Sequence, residues 1–221
     1  MGPLEPEACS ELRRTRLVAV IRAATPAAAL AAAHAVADGG LTLIEVTYSV
    51  PDAPRVMREL SSRGGIVVGA GTVLTRDQAR AALDAGARFI IAPNFSAEVA
   101  REALAHGVMY CPGAYTTSEI IAAHGAGAHV IKVYPVGIAG GPAYIQVIRD
   151  PLPGIPMLAA GGTNLDNTLA FLNAGCVGVG LGASLADPGL AAAGEVAEIT
   201  RRARAFTALV SSSLAASSAR A

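Results

Sequence analysis

The chain has 221 residues, 52% of them hydrophobic and only 15% charged, with 17 basic side chains balancing 17 acidic ones. Neutral charge with scattered arginines argues against a nucleic-acid surface, and no apolar run reaches the roughly 18 residues of a membrane span. The three cysteines, Cys9, Cys111 and Cys176, are odd in number and lack CxxC spacing, so neither a disulfide framework nor a zinc site is indicated.

The opening MGPLEPEACSELRRTR is charged and without an apolar export stretch, which with the cysteine usage leads to the expectation of a cytoplasmic protein. From there one pattern recurs along the chain: an alanine-rich amphipathic segment ends in glycine and a short β-branched run follows. Glycine just past a helix accepts the left-handed backbone without steric cost. Runs apolar on both faces are how parallel strands covered by helices read. Eight such runs begin near residues 17, 43, 66, 89, 108, 129, 156 and 178. Between them, Thr25-Pro26 sets a proline at a first helical position, Thr75 to Gln78 and Thr116 to Glu119 read as capping boxes, and Asn164 is expected to open another helix. Eight βα units without a long linker predict an α/β chain of one domain over residues 1–221, a parallel eight-stranded (β/α)8 TIM barrel. A doubly wound sheet is the structural alternative. Residues 1–15 are expected to form an extra N-terminal helix under the barrel floor, and the low-complexity end, 211–221, a frayed tail.

In such a barrel the chemistry lies at the C-terminal ends of the strands. The polar residues falling there are Arg22, Glu45, Thr47, Thr72, Asn94, Lys132 and Tyr134. Lys132, the chain's only lysine, lies inside the apolar run HVIKVYP, and Glu45 inside LIEVTY. One reading is a buried ion pair that only holds the barrel together, although such pairs stabilise weakly relative to apolar packing. The other is a nucleophilic amine beside a proton-transferring carboxylate, since burial favours the uncharged, reactive form of a lysine. Arg22 is either a second cation near that amine, a grip for a substrate carboxylate, or a salt-bridge partner at the barrel mouth. The turns AAGGTN (159–164) and GVGLGAS (178–184) each lead from a strand towards a helix, where backbone N–H groups suit a phosphate; tight turning alone also accounts for their glycines. GVGLGA satisfies a dinucleotide-binding pattern but comes last in the repeat series, out of context for that motif. His34, His106, His124 and His129 fall on helices or at strand starts, at the wrong end for catalysis.

The segments LVAVIRA, IEVTYSVPDA, GAGTVLT, CPGAYTTSE, IKVYP with GGPAYI, and AAGGTNLDN, in this order between about residues 10 and 190, resemble the 2-keto-3-deoxy-6-phosphogluconate (KDPG) aldolase family, with its 4-hydroxy-2-oxoglutarate and phosphogalactonate members. The resemblance implies a homotrimeric class I aldolase acting on a keto-acid substrate through a covalent lysine Schiff base, with no metal or other cofactor. It further implies Schiff-base chemistry at Lys132, proton transfer at Glu45, and a pyruvate end held by Thr72 and Arg22. Pro93 and Tyr134 would line the pocket, and Gly161, Gly162 and the turn Gly182, Ala183, Ser184 would hold phosphate. Three positions depart from the family. Ser49 stands where many members carry an arginine for the pyruvate carboxylate, a role that passes to Arg22. Ala160 replaces a threonine near the hydroxyl on the fourth substrate carbon, and Ala183 replaces a serine, with Ser184 one residue later. APN and CVGVGLG lean towards the phosphogalactonate branch. The expected reaction is cleavage of KDPG to pyruvate and glyceraldehyde 3-phosphate, with the phosphogalactonate epimer or 4-hydroxy-2-oxoglutarate as alternative substrates. A phosphate-sugar isomerase or a non-catalytic phosphate-binding barrel is the alternative from another class, and neither needs an amine in a strand.

Overall fold

A computed structural model describes residues 5–218. Each apolar run forms a strand and each alanine-rich stretch a helix. The barrel strands are β1 (Leu17–Ile21), β2 (Leu43–Thr47), β3 (Val67–Gly71), β4 (Phe89–Ile91), β5 (Met109–Cys111), β6 (Gly113–Ala114), β7 (Ile131–Val133), β8 (Met157–Ala160) and β9 (Gly178–Leu181). All pairings are parallel, in the order β5-β4-β3-β2-β1-β9-β8-β7-β6. The two outer members, β5 and β6, are halves of one run interrupted at Pro112, which has no N–H to give the ladder. Pro112 still accepts from the Lys132 N–H at 2.9 Å, and the Cys111 carbonyl accepts from the Ala92 N–H at 3.2 Å. The ring therefore closes through this broken strand, giving the expected eight-position α/β barrel with nine strand segments.

Alternation along the strands divides the apolar residues into two sets. Leu43, Val67, Phe89, Met109, Val130 and Leu158 meet inside the barrel. Their neighbours face the helical layer. The first helix, α1 (Glu7–Thr15), puts Ala8, Cys9 and Leu12 into the inner set and so seals the floor. Gly178 is fixed by that plug, because a Cβ there would stand 2.6 Å from a Leu12 methyl.

The crossover helices start where their caps predict. Thr25 accepts from the Ala28 N–H ahead of α2 (Pro26–Asp38). Reciprocal capping boxes open α4 (Arg76–Asp84) at Thr75 and Gln78, and α6 (Thr117–Gly125) at Thr116 and Glu119. The other helices that follow α2 are α3 (Ala53–Ser61), α5 (Ala97–Ala105), α7 (Gly141–Arg149), α8 (Thr168–Asn173), α9 (Pro188–Ala193) and α10 (Val196–Ser218).

Two expectations need correction. The helix expected to open at Asn164 begins at Thr168 instead; Asn164 and Asn167 first bond each other's backbone N–H groups, spending one turn on a reciprocal clasp. The segment expected to fray from residue 211 continues α10 to Ser218, because Val210 is buried and Leu214 packs on the core; residues 219–221 lie outside the described residues. Helix α10 lies against α2, where Gly39 leaves room for Ala203 and Thr200 donates to the Ala35 carbonyl at 2.9 Å. Among the described residues no helix is long and apolar enough to cross a membrane.

Candidate active site

The inner alternation sends both strand-borne charges into the barrel. Glu45, two residues beyond inward-facing Leu43, is 1% exposed, and Lys132, two beyond Val130, is 6% exposed. Gly71 on the neighbouring strand leaves the space that the Glu45 carboxyl occupies: a Cβ there would stand 1.8 Å from Glu45 Oε1. That oxygen is buried and has no hydrogen-bond partner. Burial pushes the Glu45 carboxyl above the ordinary carboxylate range, and the positive charges of Lys132 and Arg22 oppose the shift. Lys132 Nζ lies 5.0 Å from the centre of the Tyr134 ring. An ammonium gains from the face of such a ring, and a flat, carbon-bound cation formed at the same nitrogen would gain in the same way.

Above Lys132 opens a cavity of about 340 Å³, which brings together Arg22, Lys132, Tyr134, both glycines of the 161–162 turn, and Gly182, Ala183 and Ser184. The two turns are arranged so that their carbonyls are engaged and their amides are not. The Gly161 oxygen accepts from the Gly137 N–H at 2.7 Å and the Gly162 oxygen from Asn167 Nδ2 at 2.9 Å. Both glycines have positive φ, 82° and 92°, a backbone that side chains disfavour. In the second turn the Gly182 oxygen accepts from the N–H groups of Leu185 and Ala186. Among the described residues the N–H groups of Gly161, Gly162, Ala183 and Ser184 have no protein acceptor, and backbone amides left open at such turns suit an anion.

The remaining expected residues lie around this cavity without lining it. Thr72 follows β3 with a φ of 57° and is half-buried. Ser49 is exposed and its hydroxyl is taken by Thr47 Oγ1 at 2.6 Å, while Thr47 also donates to the Ile21 carbonyl. Pro93 lines an adjoining hollow together with Tyr134 and Tyr115, so Tyr134 forms the wall between the two spaces. Asn94 bonds the Phe95 carbonyl.

Three residues of the site went unread in the sequence. Thr163 is 6% exposed, borders the cavity, and donates to the Gly180 carbonyl at 2.6 Å, tying the two glycine turns together. Gly71 makes room for Glu45. Cys111 sits inside the barrel within the electrostatic reach of Lys132 and Glu45, with burial holding its thiol well above the usual range. Thr163 and Gly71 act across strands, through a register that no local signal carries.

The family model for KDPG and KHG aldolase matches residues 9–202. The 2-dehydro-3-deoxy-6-phosphogalactonate aldolase of Escherichia coli K12 is 37% identical over 172 residues, 76% of this chain and 83% of that protein. The 2-dehydro-3-deoxy-phosphogluconate aldolase of Pseudomonas aeruginosa is 36% identical over 170 residues, 75% of this chain and 77% of that one. A crystal structure of KDPG aldolase from Legionella pneumophila, with pyruvate captured at low pH as a covalent carbinolamine, superposes with a TM-score of 0.83 at 26% identity, over 90% of this chain and 98% of that one. The chain belongs to the KDPG and KHG aldolase family and is a carbon–carbon lyase.

Proposed function

We propose that Lys132 is the Schiff-base nucleophile and Glu45 the proton-transfer group of an aldol cleavage. The observation that carries this reading is the burial of one amine and one carboxyl on inward faces of the same barrel, the carboxyl having an unpartnered oxygen. The free amine of Lys132 adds to the C2 ketone of the substrate, and loss of water leaves a protonated iminium. Glu45, through a water, takes the proton of the C4 hydroxyl; the C3–C4 electron pair moves into the iminium, and glyceraldehyde 3-phosphate departs. The enamine left behind regains a proton at C3 from Glu45, and hydrolysis returns pyruvate and the amine. A carboxyl held above its ordinary range by burial is suited to both halves of this exchange. The covalent iminium is the electron sink, so no metal is assigned to the step.

Thr72, Pro93 and Tyr134 hold the pyruvate end in this reading, and the turns at Gly161, Gly162, Gly182, Ala183 and Ser184 hold the phosphate. The substrate is a 2-keto-3-deoxy-6-phosphohexonate, the galactonate epimer ahead of the gluconate one. Ala160 offers no hydroxyl at the end of β8, and the 37% identical relative is named for the galactonate epimer. 4-Hydroxy-2-oxoglutarate would leave the open amides of both turns unused. Ser49 does not replace the family arginine at the carboxylate, since its hydroxyl is engaged. A homotrimer is part of the same proposal; exposed Ile121, Ile138 and Val147 on and beside α6 and α7 supply apolar surface for such contacts, and sedimentation equilibrium gives the subunit number. A kcat/KM comparison of the two epimers and 4-hydroxy-2-oxoglutarate tests the substrate. Galactonate first supports the assignment, and the unphosphorylated acid first contradicts it.

A further inference from the structure

The barrel closes between the broken strand β5–β6 and β7, where Gly113 and Ala114 pair with Lys132 and Val133. Below that pairing the seam is made differently. The Cys111 carbonyl turns to β4 and accepts from the Ala92 N–H, so by ladder alternation both main-chain groups of Tyr110 point the other way, towards β7. There the Tyr110 carbonyl accepts from the N–H groups of His129 and Val130 at 3.1 and 3.4 Å. The Tyr110 N–H is taken by a side chain, Nδ1 of His129, at 3.2 Å. A backbone N–H can only donate, which fixes the ring: Nδ1 carries no proton and Nε2 carries one. His129 thus supplies from its side chain the acceptor that a strand carbonyl supplies elsewhere in the ladder. It stands just ahead of β7, at the foot of the strand that bears Lys132.

A proton on Nδ1 would set two donors against each other in this contact. The groups around the ring favour its neutral form. His129 lines a hollow under the barrel with Glu5, Cys9 and Arg13 of the first helix and the residues before it. Glu5 is engaged by Arg13 and Ser10, and burial pushes the Cys9 thiol up to about 11, so it stays uncharged. Arg16, which donates to the Val177 carbonyl beside the same hollow, is itself a cation. From β5 the Tyr110 phenol is turned away to the Ser96 carbonyl, and burial pushes it up to about 12. Pro156 and Val177, ahead of β8 and β9, bring no titratable group. Burial lowers His129 below the ordinary histidine range. We infer that His129 is a pH-sensitive latch on the closing seam: its neutral ring holds the Tyr110 N–H and the foot of β7, and its protonated ring releases them. Because β7 carries Lys132, the latch ties the seating of that strand to pH through a group outside the cavity above the lysine. The inference does not depend on the chemistry assigned to Lys132.

The test compares wild type with His129→Asn, whose Oδ1 sits on Cγ as Nδ1 does, accepts a hydrogen bond and does not titrate. Denaturant unfolding of both is followed from about pH 8 to about pH 5, the range in which histidine changes charge. The unfolded chain takes up its proton at the ordinary histidine value of about 6.5, and the folded one at a lower pH. In that window the unfolded chain binds more protons, so the stability the latch confers is complete above the ordinary value and is lost as pH falls through it towards the lowered one. The unfolding constant of wild type divided by that of His129→Asn is expected to be flat above about pH 7 and to rise below it by up to about tenfold per pH unit. The Tyr110 amide, followed by hydrogen exchange corrected for its intrinsic rate, is expected to lose protection over the same window in wild type and to keep it in His129→Asn. A ratio that stays flat overturns the inference. A rising ratio with equal Tyr110 protection in the two proteins also overturns it, because the titrating contact then lies elsewhere. Ring nitrogen NMR shifts of His129 in wild type test the latch without any substitution: a bare Nδ1 at neutral pH is expected, and a proton there overturns it.

Discussion

Replacing Gly71 by alanine tests whether the Glu45 carboxyl is held where proton transfer needs it. Gly71 has no positive φ, so its backbone accepts alanine, and Gly→Ala at a compatible site is by itself mildly stabilising. The obstacle is Glu45. A Cβ at Gly71 would stand 1.8 Å from Oε1, 2.5 Å from Cδ and 2.6 Å from Cγ, against the 3.4 Å at which ordinary contact begins. The carboxyl must therefore shift by about 1.6 Å, the difference between 3.4 and 1.8 Å, and a 1 Å misplacement of a catalytic group costs about 100-fold in rate. Overpacking adds about 1–3 kcal/mol of destabilisation, a fall in Tm of roughly 2–12 °C for a chain of this size. The assay is aldol cleavage followed through pyruvate release, with thermal unfolding alongside. The same substitution in a Glu45→Ala background removes the clash, so Gly71→Ala is then expected to cost little or nothing in Tm. Wild-type turnover in Gly71→Ala, or an equal Tm loss in both backgrounds, would refute the placement of Glu45.

Glu45→Gln is expected to lower kcat by about 100- to 10,000-fold, the range of general acid–base contributions, while pyruvate is still trapped on the enzyme; an unchanged kcat removes Glu45 from the chemistry. The same variant has a signature in stability. The Glu45 carboxyl is raised in the folded state, so the folded protein binds more protons than the unfolded chain between the ordinary carboxylate value and the raised one, and wild-type stability falls as pH rises through that window. The Tm of Glu45→Gln minus that of wild type should grow with pH there and level off below about pH 4; a flat difference contradicts the burial argument. Thr163→Val leaves the Gly180 carbonyl unpaired, costing about 1–3 kcal/mol, and loosens both turns, so KM for the phosphorylated substrate rises with kcat little changed. A fall in kcat alone would show Thr163 acting elsewhere. Thr116→Ala removes one arm of a capping box and is expected to cost about 1 kcal/mol in unfolding free energy measured with denaturant, without effect on turnover.

The barrel was legible because each strand is apolar on both faces and each helix carries its own cap. The strand starts read near 66, 108, 129 and 156 fall at Val67, Met109, Ile131 and Met157. Pro112 was not read as a break, since an apolar run gives no sign of where its ladder passes from one neighbour to the next. The end of α10 was misread from serine and alanine composition, when what orders it is the packing of Val210 and Leu214. Lys132 and Glu45 stood out as charges inside apolar runs, but a one-residue change of register would turn both outward, so their inward facing was read from the folded barrel alone. Thr163 and Gly71 look ordinary in sequence, because one acts by bonding a carbonyl 17 residues away and the other by what it lacks beside Glu45. The use of Arg22 could not be decided from its neighbours in sequence. Its place on the lining of the cavity that holds Lys132 is a tertiary fact.

Every step of the proposed cleavage depends on covalent chemistry at Lys132. Incubation with pyruvate and borohydride, followed by intact mass and peptide mapping, tests it most directly. One reduced pyruvate adduct per chain is expected, on Lys132, and none in Lys132→Ala. A folded wild-type protein that gains no adduct would contradict it, leaving Lys132 a buried amine without a covalent role.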